Sequence, residues 1–217
     1  MDVITAIAQE RGRMRITIGD ADTVVVPNAL FRERPLTVGD AIDPEEYDQW
    51  LMLRQYRQAL DRAVGMLALR ARSRREIEER LLRSNYRPCT VEMVLYKLEK
   101  ERLLDDEAFA RDWAASRARS QVGKSRILRE LRMKGIPQQM AQNALEELDE
   151  EESDEAAVAL ARKLLKRYSR EADDRKAMQK LLMAMARRGY GYEESKQAVE
   201  TALQEEEENE ASGHADP

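Results

Sequence analysis

The feature that most constrains the fold is an internal repeat in the apolar positions of the chain. Three sets of six residues superimpose when 50 and then a further 54 are added to the residue numbers, with no gap inside a set. Within each set the spacings of three and four residues are those of one helical face. A period of this length predicts stacked helical units that share a core. The sets are Ile77, Leu81, Asn85, Val91, Leu95 and Leu98; Ile127, Leu131, Gly135, Ala141, Leu145 and Leu148; Leu181, Met185, Gly189, Ser195, Val199 and Ala202.

A further amphipathic segment precedes each set, so each repeat is predicted to contain three helices. The apolar residues of these leading segments recur at spacings of three, four and seven, which place them on one helical face. They are Leu60, Val64 and Leu67; Phe109, Ala110 and Trp113; Ala157, Leu160 and Leu164.

Capping signals mark where several of these helices begin. Asp43 followed by Pro44 is typical of an N-cap with proline in the first helical position. Ser73 followed by Glu76 predicts a capping box for the second helix of repeat one. Thr90 is predicted to cap the third helix of that repeat.

Three equivalent positions predict left-handed residues after the second helix of each repeat. Gly135 and Gly189 stand there in repeats two and three, and glycine adopts a positive φ without a Cβ clash. Asn85 stands there in repeat one, and asparagine is the usual substitute for glycine. The ten methionines include three at core spacings: Met133, Met178 and Met185.

The first fifty residues have a different pattern, which predicts a small β-rich segment. Arg13 to Ile18 alternates polar and apolar or β-branched residues, and Thr23 to Val26 is a second β-rich run that ends at Pro27. Gly19 to Asp22 is typical of the turn between them. Because a lone hairpin is marginal in water, a third short element is expected around Leu36 to Ile42.

The predicted fold class is therefore mainly α. Three tandem three-helix, helix-turn-helix-like repeats are expected to form an elongated curved array, with a small β-hairpin-like segment at the N-terminus. A low aromatic content of 5% beside 36% charged residues fits narrow apolar helix stripes better than a sheet sandwich. The predicted parts are a β-rich extension (1–43), repeat one (44–104), repeat two (105–150), repeat three (151–203) and an acidic disordered tail (204–217).

Cysteine content and hydropathy predict a cytoplasmic protein. Cys89 is the single cysteine, which forbids an intramolecular disulfide. The first residues lack the order of basic start, apolar stretch and cleavage site that a signal peptide needs. No apolar run approaches the roughly 18 residues of a membrane-spanning helix.

The formal net charge of −5 hides a strong segregation of charge along the chain. Eight of the ten residues from Glu146 to Glu155 are acidic, and Glu205 to Glu210 contains five more acids. The segment from Arg117 to Lys134 has seven basic residues and one acid, Glu130. Because the local field steers a charged partner, this basic segment predicts contact with a polyanion or an acidic protein groove. Its basic residues are Arg117, Arg119, Lys124, Arg126, Arg129, Arg132 and Lys134.

Basic residues elsewhere have a simpler explanation. In repeat one, acids stand four positions from bases, as Glu79 and Arg83 do, so a solvated and internally paired face is expected. In the basic segment of repeat two, one acid among seven bases leaves most charges without a local partner.

No catalytic, metal or cofactor site is predicted. Gly123-Lys124-Ser125 resembles the end of a phosphate-binding loop, but Ala118 stands where the first glycine is needed and the preceding segment is helical. A tight turn at Gly123 with Lys124 exposed to a partner is favoured. Asp105 and Asp106 fit a helix start better than a metal pair, and His214, the single histidine, lies in the polar tail.

A dense set of residues in repeat two resembles the central signature of the RecX family of recombinase regulators. Repeat one adds Ser73 to Ile77 with Leu81, and the resemblance covers about residues 48–203. Repeat one departs from the family at Asn85-Tyr86, where glycine is typical, and repeat three is the most divergent. The signature residues are Leu104-Asp105-Asp106, Phe109-Ala110, Arg117, Gly123 to Arg126, Glu130-Leu131 and Lys134-Gly135-Ile136.

This resemblance implies a non-enzymatic regulator that lodges in the helical groove of RecA filaments on single-stranded DNA. It also implies restraint of RecA ATPase, strand exchange and coprotease activity, and DNA binding by many members. Two alternatives stay open: a general nucleic-acid-binding helical protein that competes for single strands, and a scaffold for another protein. The expected partner and DNA surface comprises Arg74, Arg75, Asp105, Asp106, Phe109, Arg117, Arg119, Gly123, Lys124, Arg126, Arg129, Arg132 and Lys134. Phe109 is expected to pack beneath it.

Overall fold

A computed structural model describes residues 1–20, 22–169 and 173–213. The chain divides into two compact units, Met1–Asp105 and Asp106–Pro217. The first contains the N-terminal sheet and repeat one, and the second contains repeats two and three. Each unit is described by itself below.

Four antiparallel strands and one short helix form the N-terminal segment. Both strands predicted from the sequence, Arg13 to Ile18 and Thr23 to Val26, are confirmed. The elements are β1 (Asp2–Glu10), β2 (Arg13–Ile18), β3 (Asp22–Pro27), α1 (Asn28–Glu33) and β4 (Ala41–Ile42).

The strands lie in the order β3-β2-β1-β4. β4 falls inside the third element that was predicted around Leu36 to Ile42, whereas β1 and α1 were missed. β1 has only one fully buried apolar side chain, Ile4, and two alanines, which are weak strand formers, so its alternation is faint. Ile4, Ile16 and Leu30 pack with Tyr47 of the following helix in one core.

Repeat one completes the first unit with three helices that begin at recognisable caps. Asp43 accepts hydrogen bonds from the backbone amides of Glu45 and Glu46 at 3.0 and 3.2 Å, as its predicted N-cap role requires. Ser73 accepts from the amide of Glu76 at 3.3 Å, which confirms the second predicted cap. The helices are α2 (Pro44–Leu69), α3 (Arg74–Arg83) and α4 (Pro88–Lys100).

Two predictions for repeat one are wrong. α4 begins with Arg87 as N-cap and Pro88 in the first turn, so Thr90 is inside the helix, where it is buried. The fixed φ of proline starts the helix earlier than the threonine signal indicates. Val64 is exposed, because Ala59 and Ala63 form the buried face of α2 instead.

The second unit contains six helices within its described residues, three for each repeat. The first three share one core with Phe109, Ile127 and Leu131, and the last three share another with Leu160 and Leu181. The helices are α5 (Asp106–Arg119), α6 (Lys124–Met133), α7 (Gln138–Glu146), α8 (Glu150–Tyr168), α9 (Asp174–Arg188) and α10 (Tyr192–Gly213).

The repeat register predicted from the sequence is confirmed. Of its eighteen positions, the apolar ones are buried except Leu145 and Leu148, which are partly buried. The three turn residues have positive φ: 63° at Asn85, 84° at Gly135 and 98° at Gly189. Among the three methionines at core spacings, only Met185 is buried; Met133 and Met178 are exposed.

The acidic tail begins later than the sequence indicated. α10 continues through the glutamate-rich run to Gly213, so the disorder predicted from residue 204 is wrong for residues 204–213. Glutamate is a good helix former, and Glu205 forms an ion pair with Arg162 of α8. Residues 214–217, with the single histidine, lie outside the described residues.

Repeats two and three meet where two glycine backbones touch. A Cβ atom on Gly123 would lie 2.3 Å from the carbonyl carbon of Gly189, and one on Gly189 would lie 2.4 Å from the Cβ of Arg126. The Gly123 amide donates to the Arg188 carbonyl at 3.0 Å, and the Ser125 hydroxyl donates to the Gly189 carbonyl at 2.6 Å. This glycine junction holds the start of α6 against the end of α9.

We expect Gly123→Ala to destabilise the protein by about 1–3 kcal/mol or more, because its methyl group would meet backbone that cannot move freely. The φ of Gly123 is −71°, which alanine adopts without strain. Any decrease in the free energy of unfolding therefore comes from the steric contact. Gly65→Ala is the matched control, because Gly65 lies inside α2 with open space around it. That change should gain about 0.5–1 kcal/mol. Urea unfolding measures both, and equal effects would contradict the junction.

Candidate functional site

The basic segment of repeat two is built around α6. Ile127 and Leu131 are fully buried and fix the orientation of this helix against α5 and α7. The remaining positions of α6 therefore carry the polar side chains toward its flanks and outer face. The structure sorts the seven predicted cations of this segment into two groups, those held by internal partners and those without one.

Arg117 and Arg126 are held by one carboxylate, Glu130. The guanidinium of Arg117 donates to both oxygens of Glu130 at 2.7 and 2.8 Å, across the α5–α6 contact. Arg126 donates to the same carboxylate at 3.2 Å. Hydrogen bonds from Arg117 and then Arg126 hold the pKa of Glu130 below its ordinary value, although partial burial opposes the shift. The bond to Glu130 likewise raises the pKa of Arg117.

Lys134 is held by an aromatic pair. The rings of Phe109 and Trp113 stack with their centroids 5.9 Å apart. The Lys134 Nζ atom lies 4.0 Å from the Trp113 centroid and 5.6 Å from that of Phe109, which is a cation–π geometry. Phe109 is 5% exposed, so it packs beneath the surface, as expected.

Four of the predicted cations have no ion-pair or hydrogen-bond partner for their side chains within the described ranges 1–20, 22–169 and 173–213. Arg129 and Arg132 are exposed, and their spacing of three residues makes them neighbours on α6. Arg119 ends α5 and Lys124 begins α6, so they flank the turn between the two helices. We call Arg119, Lys124, Arg129 and Arg132 the free-cation surface.

The expectation that most bases of this segment lack a local partner holds among the described residues for four of the seven, although the one acid binds more than one base. Glu130 serves two arginines at once because its side chain is only 12% exposed and lies between them. A count of one acid against seven bases therefore underestimates how many charges are paired. Arg117, Arg126 and Lys134 are engaged within the protein, and the free-cation surface is what remains for a partner.

The acidic and glycine members of the predicted site occupy structural positions. Asp105 immediately precedes α5 and Asp106 opens it, where a negative charge interacts favourably with the helix dipole. Gly123 is buried in the glycine junction. The backbone amides at Gly123 and Ser125 donate to the carbonyls of Arg188 and Gly189. A phosphate-binding loop would need those amides for its ligand.

Arg74 and Arg75 belong to the first compact unit and are both paired there. Arg74 contacts Glu92 and Glu99, each at 2.8 Å, and so bridges α3 to α4. Arg75 contacts Glu79 at 2.8 Å, and Glu79 also binds Arg83 at 2.6 Å, as predicted. These contacts are those of the internally paired face that was expected for repeat one.

Among the described residues, no group of three or more His, Cys, Asp and Glu side chains is placed to hold a metal ion. No described helix is both long and apolar enough to cross a membrane.

Sequence reasoning did not single out a third group of cations in the second unit. Arg167 of α8 and Arg187 and Arg188 of α9 line a cavity together with Arg126 of α6. Arg167, Arg187 and Arg188 do not belong to the predicted site. The cavity depends on how three helices pack, and no spacing within one helix indicates it.

Comparison with known protein families finds three consecutive domain matches. They are described as the first, second and third three-helix domains of RecX and match residues 59–98, 105–145 and 150–199.

Curated relatives and solved structures give the same similarity. The chain is 36% identical to the regulatory protein RecX of Prosthecochloris aestuarii, over 68% of this chain and 95% of that protein. It is 37% identical to that of Corynebacterium efficiens, over 66% of this chain and 71% of the relative. A crystal structure of regulatory protein RecX matches with a TM-score of 0.66 and 25% identity, over 92% of this chain and all of the other. A RecX structure from Lactobacillus salivarius matches in fold, with a TM-score of 0.64 and 22% identity, over 70% of this chain and 99% of the other.

We expect Glu130→Gln to lower the free energy of unfolding near neutral pH by about 1–2 kcal/mol. The substitution removes charge-assisted hydrogen bonds, and the partial exposure of both arginines limits the loss. Because the folded-state pKa of Glu130 lies below its ordinary 4.5, the wild-type advantage is complete above that value. It should disappear as the pH falls through the lowered pKa.

Denaturant unfolding between pH 3 and 7 measures this advantage. Glu155→Gln is the control, because Glu155 is exposed and has no ion pair with any described residue. A loss that is the same for both variants, or that does not change with pH, would contradict the role of Glu130.

Proposed function

Because the chain belongs to the RecX family, we propose that it is a non-enzymatic negative regulator of homologous recombination. It binds the groove of the RecA filament on single-stranded DNA. It thereby restrains RecA ATPase, strand exchange and coprotease activity. The relatives are named regulatory proteins, which fits a protein that acts by binding.

The observation that supports this proposal is the free-cation surface. Four cations without internal partners stand on or beside one helix of a rigidly packed repeat, and a polyanionic partner would neutralise them. Their targets are the acidic residues of a protein groove or the phosphates of the enclosed strand. Such contacts position a protein without reading base sequence.

The second candidate is a general nucleic-acid-binding protein that affects recombination by competing for single strands. The same free-cation surface favours it, because exposed arginines and lysines bind phosphates of any nucleic acid. Two properties separate the candidates. A phosphate binder loses affinity steeply with salt for any bare DNA, whereas a groove binder requires the assembled filament.

The decisive experiment is the single-stranded-DNA-dependent ATPase of the cognate RecA with DNA in excess. The protein is titrated at far below one copy per RecA. We expect strong inhibition at these ratios, which covering the DNA cannot produce. Inhibition only at concentrations that coat the DNA would support the competitor instead, and no effect would contradict both candidates.

We expect Arg129→Glu with Arg132→Glu to abolish filament binding and ATPase inhibition while leaving the thermal melt nearly unchanged. Neither arginine has a described partner, so the fold loses no contact. Arg126 is left intact because it binds Glu130.

The control is Arg175→Glu with Lys176→Glu, which changes the net charge equally. Both residues are exposed in the first turn of α9, where glutamate suits the helix dipole. Equal losses in the two variants would mean that net charge, and not the free-cation surface, determines binding.

A further inference from the structure

A cavity of about 250 Å³ lies between α6, α8 and α9, where repeats two and three meet. Four arginines from the three helices line it: Arg126, Arg167, Arg187 and Arg188. It is distinct from the free-cation surface, with which it shares no residue. We call it the arginine pocket.

The charge of the arginine pocket is not neutralised from within. Among residues 1–20, 22–169 and 173–213, no acidic side chain lines it. Arg167, Arg187 and Arg188 have no ion pair with any residue in the described part of the chain, and all three are exposed. Only Arg126 shares a carboxylate, that of Glu130. Three full positive charges therefore converge on a small volume.

A structural role at helix ends accounts for only part of this charge. Arg167 lies in the last turn of α8, and Arg187 and Arg188 lie in the last turn of α9, where the dipole favours cations. Each helix end carries only about half a negative charge. Arg126 donates to the Arg187 carbonyl at 3.5 Å and so satisfies one of those acceptors. The pocket stays positive after both helix ends are counted.

The other wall of the pocket is apolar. It is formed by Leu160 and Leu164 of α8 with the partly exposed ring of Tyr168. The Cζ atom of Arg167 lies 5.9 Å from the centroid of that ring. A small inorganic anion would leave this wall uncovered. An aromatic face beside guanidinium groups is the combination that binds an unpaired base and its phosphate.

We propose that the arginine pocket binds one nucleotide unit of single-stranded nucleic acid. Arg167, Arg187 and Arg188 contact the phosphate, and the base lies against Tyr168. A paired base cannot present its face to the ring, so a duplex does not satisfy both walls. An acidic peptide would satisfy the arginines but not the aromatic wall.

The glycine junction makes this pocket preformed. Because Ser125 bonds to the Gly189 carbonyl, α6 and α9 are held at a fixed separation, and the arginines need not be brought together by the ligand. Binding therefore incurs little reorganisation. The proposal rests on the proposed function only for the source of the strand, since the pocket itself is tested with the protein alone.

The test is fluorescence anisotropy of a labelled thymidine oligonucleotide with the full-length protein, over a range of salt concentrations. Arg187→Gln with Arg188→Gln should reduce the slope of log affinity against log salt by about 1–2. Tyr168→Leu should weaken single-strand binding by roughly fivefold or more. The same Tyr168 variant should leave binding of a short duplex unchanged.

Matched controls keep the outcome unambiguous. Arg175→Gln with Lys176→Gln removes the same charge outside the pocket and should leave the slope unchanged. Arg187→Lys with Arg188→Lys keeps the charge and should retain most of the salt dependence. The thermal melt of every variant should stay close to that of the wild type. Arg187 and Arg188 make no ion pair with a described residue. The exposed pair of Lys176 with Asp173 at 3.6 Å contributes little, and leucine at position 168 keeps an apolar side chain against the core of repeat three.

Several results would overturn the proposal. One is an equal reduction of the salt slope in the Arg187/Arg188 variant and in the Arg175/Lys176 control. Another is a loss of duplex affinity in the Tyr168 variant that equals its loss of single-strand affinity. Competition by inorganic phosphate or by a poly-glutamate peptide as effective as by the unlabelled strand would instead identify a simple anion site or a protein contact. RecA is absent from the anisotropy assay, so a negative result there would not bear on the regulation of the filament. In the same way, an absence of ATPase inhibition would not bear on binding of a nucleotide in the arginine pocket.

Discussion

The contact between Gly123 and Gly189 is the constraint on which the second unit depends. Two backbones approach so closely that neither position has room for a Cβ atom. This approach allows the Ser125 hydroxyl to reach the Gly189 carbonyl and brings Arg126 to the end of α9. The position of α6 is thereby fixed by the core of its own repeat and by the end of α9 in repeat three. The Gly123-Lys124-Ser125 motif resembles part of a phosphate-binding loop in sequence, but in the structure it joins repeat two to repeat three.

With α6 fixed, its arginines acquire different roles that composition cannot distinguish. Arg126, together with Arg117 of α5, meets the nearly buried Glu130, whereas Arg129 and Arg132 face outward. Buried carboxylates attract their partners strongly and hold them in one geometry. The residues available to a partner are therefore those for which the fold provides no acid, and identifying them requires the packing of α5 on α6.

The sequence predicted the helical repeats well because their signal is redundant. Three copies of one apolar pattern, with Gly135, Gly189 and Asn85 at one equivalent position, determine the register of six helices, the second and third of each repeat. Single signals were less reliable. Thr90 was predicted to cap α4, whereas the helix begins at Pro88. The strand β1 was not predicted, because its alternation of polar and apolar residues is faint. The arginine pocket could not be predicted from the sequence, because its residues come from three helices.

Repeat one and repeat two share one helical scaffold but differ in whether the charges on the corresponding face are paired. Adding 50 to Glu79, which neutralises Arg75 and Arg83 in α3, gives Arg129 of the free-cation surface. Lys124 occupies the position of Arg74. The counterpart of its partner Glu92 is the uncharged Gln142, and the counterpart of its partner Glu99 is Asp149, which caps α8 instead. The buried apolar register is unchanged between the two repeats, so these exchanges alter charge without altering the fold. Divergence at exposed positions is therefore sufficient to leave these cations of repeat two without acidic partners among the described residues, while Arg74 and Arg75 of repeat one are paired.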